Sequence, residues 1–94
     1  MPDDSSINIS GFWMGTRDDF AESLGGDFSA VFLKDGANPS VVVGNPLIGT
    51  AATNGVGNAE FTVDVGPNAA LLVVTGNGGQ IWNWKVVYTT VILP

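Results

Sequence analysis

Residues 80–93 read QIWNWKVVYTTVIL, and their side chains sort by parity. Even positions Trp82, Trp84, Val86, Tyr88 and Ile92 share one side of an extended chain. On the other side, Asn83, Lys85 and Thr89 interrupt the apolar residues Ile81, Val87, Val91 and Leu93. A period of two held over this length specifies a β-strand. At about 3.3 Å per residue the run spans roughly 40 Å, about twice an ordinary strand of five or six residues. Such a strand must bend, switch sheets, or leave its own domain to pair with a neighbour.

Working outward, Gly76-Asn77-Gly78-Gly79 is a turn that feeds the last strand, and Ala70 to Thr75 (ALLVVT) reads as a fully buried strand. Before the Gly66-Pro67-Asn68 turn, Ala59, Phe61, Val63 and Val65 alternate with Glu60, Thr62 and Asp64, one face buried and one wet. Gly49 to Asn58 is too small and polar to anchor a core and reads as a loop, following the Asn45-Pro46 break. Val41 to Val43 is a return strand, paired through the Asp35-Gly36 turn with Phe28 to Leu33. That segment is apolar on both faces, as a central strand covered on both sides would be. In TRDDFAESLGGD (16–27), Thr16 is a candidate cap and Phe20 and Leu24 stand at i, i+4. The stretch predicts either one or two helical turns stopped by Gly25-Gly26 or a long polar loop. Ile7 to Trp13 is the first strand, ended by Gly15.

Six or seven strands at this spacing, with 13 glycines and 5 prolines between them, predict an all-β fold. The expected form is an antiparallel β-sandwich, immunoglobulin-like or a short jelly roll, in a single domain over 1–94 with 1–6 a polar tail. A chain of 94 residues buries only about 60 to 65% of its unfolded surface, so its stability margin is small. Only 13% of residues are charged while 45% are hydrophobic, against about 25% charged in an ordinary soluble domain. Part of the surface is therefore expected to be covered by other subunits, where charge is depleted; the competing reading is a neutral polar surface of Thr, Asn, Ser and Gly.

The formal net charge is −6, and the cations are Arg17, Lys34 and Lys85 alone. Three scattered cations cannot supply the counterion release that binding to nucleic acid needs, and anionic membrane surfaces are disfavoured for the same reason. The chain lacks cysteine and histidine, which removes thiol nucleophiles, thiolate metal sites and every triad built on imidazole. Asp18 and Asp27 could face one another as a carboxylate pair, but the domain offers little room for a cleft, and the chain reads as a non-enzyme. The acids Asp18, Asp19, Glu22 and Asp27 do not follow the EF-hand spacing and read as a solvated loop, so neither metal nor cofactor is expected. The glycines of GVGN (Gly55, Gly57) and GNGG (Gly76, Gly78, Gly79) do not complete a phosphate-loop pattern and read as turns. Asn8-Ile9-Ser10 fits the glycosylation triplet, but the acidic start MPDDSSIN is not a secretory signal and the match is read as accidental. The initiating Met1 disfavours an adaptor domain cut from a longer protein.

Trp13, Trp82 and Trp84 are many tryptophans for this length; exposed, they would form a platform for sugar rings or a protein partner, and buried, at least one would fill the core. The sequence from Leu71 to Val91, a buried strand, a Gly/Asn turn and then Ile81-Trp82-Asn83-Trp84-Lys85-Val86-Val87-Tyr88-Thr89-Thr90-Val91, resembles the ending of small all-β virion proteins of tailed bacteriophages. The resemblance covers about a quarter of the chain and is one of sequence style. It implies a head-decoration or tail-associated protein, a symmetric oligomer located on the virion and bound to other copies of itself and to a capsid or tail protein. The residues expected to make these contacts are Trp13, Trp82, Trp84, Val91, Ile92 and Leu93. The alternative is a small carbohydrate-binding module or lectin that stacks sugars on the tryptophans.

Overall fold

A computed structural model describes residues 1–53 and 58–93. Among the described residues eight strands follow one another: β1 (Ser5–Arg17), β2 (Ser23–Lys34), β3 (Val41–Val42), β4 (Leu47–Ile48), β5 (Ala51–Ala52), β6 (Glu60–Gly66), β7 (Ala69–Thr75) and β8 (Trp82–Leu93). The fold is all-β and antiparallel, as the alternation requires. Three of the eight strands are two-residue pieces, which accounts for the higher count.

The large sheet is built around β1. It pairs with β2 from Ser5↔Lys34 to Thr16↔Ser23 and with β8 from Ser6↔Leu93 to Arg17↔Trp82, both registers running without a bulge. β3, β4 and β5 pair in succession along the outer edge of β2. The second layer is the β6–β7 hairpin, in register from Glu60↔Thr75 to Gly66↔Ala69, with Pro67-Asn68 as its two-residue turn. A long sheet covered by one short hairpin gives unequal layers, unlike the balanced two sheets of an immunoglobulin domain or a jelly roll. The molecule is correspondingly elongated, 46 × 21 × 19 Å.

Parity decides which side chains meet the hairpin. On β1 and β2, Ile9, Trp13, Leu24, Phe28, Ala30 and Phe32 point inward, and with Ala59 and Phe61 they form the buried core. Phe61 is the clasp between the layers: its ring stacks on Trp13 at 5.2 Å and tilts against Phe28 at 4.8 Å. Both ring separations fall in the range where aromatic pairs attract beyond their area burial.

Several local readings change in three dimensions. β1 runs through Gly15 because a glycine there leaves room for the Trp84 ring, whose carbons would lie 2.5 Å from an added Cβ. Neither helical turns nor a long loop forms over 16–27. β1 and β2 extend to Arg17 and Ser23 and close through a five-residue turn, in which the Phe20 amide donates to the Arg17 carbonyl at 2.9 Å and the Arg17 amide to Glu22 at 2.9 Å. The pairing of two long strands outweighs a helix of at most two turns, which is too short to repay its nucleation. β2 is covered on one face only, leaving Val31 and Leu33 exposed on the other, and β7, an edge strand of a two-stranded layer, exposes Leu71 and Val74 in place of full burial. The stretch Gly49 to Asn58 contributes β5, and its glycines Gly55 and Gly57 lie outside the described residues.

The polar tail is held by its own chain. Lys34 is buried, and its ammonium donates to the carbonyls of Gly36 (3.2 Å) and Asn38 (2.9 Å) and pairs with Asp3 at 3.3 Å. Asp4 accepts from the Gly36 amide at 2.8 Å, the Ser5 hydroxyl donates to Pro2, and the Met1 ammonium donates to the Asn68 carbonyl. Among the described residues no helix is long and apolar enough to cross a membrane.

Candidate assembly surface

β8 sits at one edge of the large sheet, beside β1 on one side and without a strand on the other among the described residues. Its register against β1 places Trp82, Trp84, Val86, Tyr88, Thr90 and Ile92 on the face that carries the core, and Asn83, Lys85, Val87, Thr89, Val91 and Leu93 on the opposite face. The expected division by parity is therefore realised. The covering is not uniform along the strand. Trp82, Trp84 and Val86 pack against the core, but Tyr88, Thr90 and Ile92 are exposed although they share the same face.

The placement of the hairpin explains this. It leans toward the β2 edge: β6 meets β3, the Ser40 amide donates to the Pro67 carbonyl in its turn, and Phe32, in one row with Ile7 and Ile92, is fully buried. The hairpin covers the end of β8 that carries the tryptophans and leaves the C-terminal half open on both faces. There Tyr88 is 55% exposed, Val91 61%, Ile92 51% and Leu93 65%. The backbone is drawn tight against β1 at this point. A Cβ on Gly11 would run into the Val87 carbonyl oxygen, so glycine permits the close approach of the two strands. A shallow depression lined by Ser10, Gly11, Phe12, Val87, Tyr88 and Thr89 marks the place on the surface.

The outer face of the large sheet continues this surface. Across β2, β1 and β8 the register sets Leu33, Ser6 and Leu93 in one row, Val31, Asn8 and Val91 in the next, and Asp27, Phe12 and Val87 further along. Phe12, Met14, Val31, Leu33, Val87, Val91 and Leu93 are all exposed there. Between these rows Ser29, Ser10 and Thr89 form a polar one. Asn8 donates to the Ser29 hydroxyl at 3.3 Å and to the Ala30 carbonyl at 3.4 Å, so the side chain of the glycosylation-like triplet is engaged within the sheet.

The six residues expected from sequence to make contacts separate into three kinds. Trp13 is 2% exposed under Phe61 and has no surface to offer a partner, which corrects its inclusion and identifies it as the core tryptophan. Trp82 and Trp84 stack on one another at 5.8 Å and pack against the core, with the Trp82 indole N–H donating to Gln80 at 3.3 Å. Val91, Ile92 and Leu93 are exposed together at the open end of β8. Sequence reading missed Tyr88 and Phe12. Both stand in alternating stretches: parity puts Phe12 on the face turned away from the hairpin, and Tyr88 on the core face at the sheet edge from which the hairpin leans away.

The acids do not converge. Asp19 and Glu22 are paired with Arg17 at 3.0 and 2.5 Å. Asp27 lies opposite Phe12 while Asp18 lies just past the end of β1, a separation of about 20 Å along the ladder, too far for a carboxylate pair acting on one bond. Among the described residues no group of three or more acids is placed to hold a metal ion. Neither a protein-family model, a curated protein nor a solved structure matches the chain.

Proposed function

We propose that this chain is a non-enzymatic structural protein that works by assembly, in a phage virion as a decorating or stabilising component of the capsid or tail. The observation that carries the reading is the C-terminal half of β8, apolar, open on both faces and, among the described residues, bordered by an unpaired backbone edge. Soluble monomers normally blunt such an edge with charge, proline or a bulge. Residues 82–93 contain Lys85 as their single charge, no proline and no bulge. Burial of this edge and of the outer sheet face against neighbouring copies or a capsid protein fits a surface with so few charged residues. β1 and β8 carry no acid, and Asp27 of β2 is the acid in the outer-face rows named above.

Particles purified from lysates of the organism that encodes the chain provide the test. Quantitative mass spectrometry is expected to find it in the particle fraction at many copies per particle, in fixed ratio to the major shell or tail protein. Recovery only in the soluble, particle-free fraction contradicts the assignment. The sugar-binding alternative has less support, since Trp13 is buried and Trp82 and Trp84 are half-buried against the core.

A further inference from the structure

We infer that the partner of the β8 edge is the β8 edge of a second copy, joined antiparallel about a two-fold axis that passes at Val87 or Tyr88. The inference rests on the assembly reading above and specifies which surface meets which. Three observations carry it.

The two edges of the large sheet are treated differently. The β2 edge is closed by three successive short strands, β3, β4 and β5, while among the described residues the β8 edge is left bare over twelve residues. An edge with exposed apolar side chains on both of its faces is a template for another strand.

Symmetry and side-chain parity then restrict the pairing. A two-fold axis relating antiparallel neighbours in one sheet is normal to that sheet, so it keeps each face on its own side and sets residues of equal parity opposite one another. With the axis at Tyr88, residue 83 meets 93 of the partner strand, 84 meets 92 and 86 meets 90; with the axis at Val87, 82 meets 92 and 84 meets 90. Either register uses all but one residue of the strand. The covered face of one copy continues into the covered face of the other. Trp84, half-buried at the margin of its own hairpin, then gains the partner strand's residue 92 or 90 as a neighbour.

Charge selects the antiparallel arrangement. A parallel pairing in register would put the two Lys85 ammonium groups on adjacent strands, about 4.8 Å apart in backbone spacing. The two antiparallel registers separate them by about 13 to 20 Å, beyond the screening length of about 8 Å in physiological salt. The nine acids all lie outside β1 and β8. The edge is about 40 Å long and a sheet with its side chains about 10 Å thick, giving roughly 400 Å² per copy and roughly 800 Å² in all. That is below the range of about 1,200–2,000 Å² for stable interfaces, so isolated pairs exchange rapidly and the contact is reinforced where copies are held side by side.

The chain has no cysteine of its own, which makes disulfide trapping clean. Single variants Tyr88→Cys, Val87→Cys and Asn83→Cys are oxidised mildly at about 100 µM, a concentration chosen for weak association. A residue on the axis faces its own copy at about 4.5–5.5 Å between Cα atoms, within disulfide reach, whereas two copies of residue 83 stand about 27 to 33 Å apart. The expected result is that Tyr88→Cys or Val87→Cys forms covalent dimer at least about tenfold faster than Asn83→Cys, the faster of the two locating the axis. Equal, slow crosslinking of all three overturns the inference. Amide exchange of the unsubstituted chain checks this without any variant: outward-facing β8 amides are expected to slow as concentration rises, and unchanged β8 exchange overturns it. A sample that associates without β8 protection or crosslinking contradicts β8 self-pairing while leaving assembly through another face standing, so the two readings fail separately.

Discussion

Replacing Phe61 by alanine tests the clasp on which the two-layer fold depends. Phe61 is 3% exposed and its ring lies between Trp13 and Phe28, at 5.2 and 4.8 Å. Removing a buried phenylalanine costs about 3–5 kcal/mol in lost transfer energy and cavity, and each lost aromatic pair adds about 0.5–1.5 kcal/mol within such totals. A 94-residue domain has about 5–14 kcal/mol of stability in all, so the variant is expected to lose between about a fifth and nearly all of it. Urea unfolding followed by tryptophan fluorescence measures the effect, since Trp13 reports directly on the clasp. Leu71→Ala on the same hairpin is the control: Leu71 is 40% exposed and its truncation is expected to cost about 1 kcal/mol or less. A loss under about 1 kcal/mol for Phe61→Ala would mean that the hairpin does not hold the sheet, and the division into covered and open halves of β8 would fall with it.

Gly11→Ala places a Cβ against the Val87 carbonyl and should cost about 1–3 kcal/mol, with amide exchange accelerating in β8 well before β6 and β7; uniform acceleration would refute the close approach as its cause. Phe20 has φ of 60° at a turn where it is 85% exposed, so Phe20→Gly should raise stability by about 0.5–1 kcal/mol, and a measured loss in thermal unfolding would show that its ring is engaged. Lys34→Met removes the donor shared by Gly36, Asn38 and Asp3 and should cost about 1–3 kcal/mol, whereas Asp3→Asn, at an exposed partner, should cost under about 1 kcal/mol; comparable losses in urea unfolding would contradict a lysine held chiefly by backbone carbonyls.

The strands were legible where one period dominated. In 59–65 and 80–93 the alternation identified the elements and the faces, and Asp35-Gly36 and Gly66-Pro67-Asn68 located the turns after β2 and β6. Sequence misled where a residue's usual role was overridden by a distant one: Gly15 and Gly25 read as stops, yet both lie inside long strands because the β1–β2 and β1–β8 ladders continue past them. Apolar runs such as ALLVVT and Phe28 to Leu33 do not reveal how many of their faces a second layer covers. That depends on where the β6–β7 hairpin lies across the sheet, a relation between elements far apart in the chain. For the same reason Trp13 was indistinguishable from Trp82 and Trp84 as a contact residue. Its burial is set by Phe61, 48 positions away. The exposed end Val91-Ile92-Leu93 was visible because its hydrophobicity continues beyond what an ordinary strand needs.

The central claim is that the chain acts by contact between copies through an edge it leaves open. Light scattering of the purified, unmodified chain from about 10 µM to 1 mM, the range in which a small interface associates, tests it most directly. The account predicts a mean mass that climbs above 9.7 kDa toward twice that value as concentration rises. A mass fixed at 9.7 kDa over the whole range would contradict it.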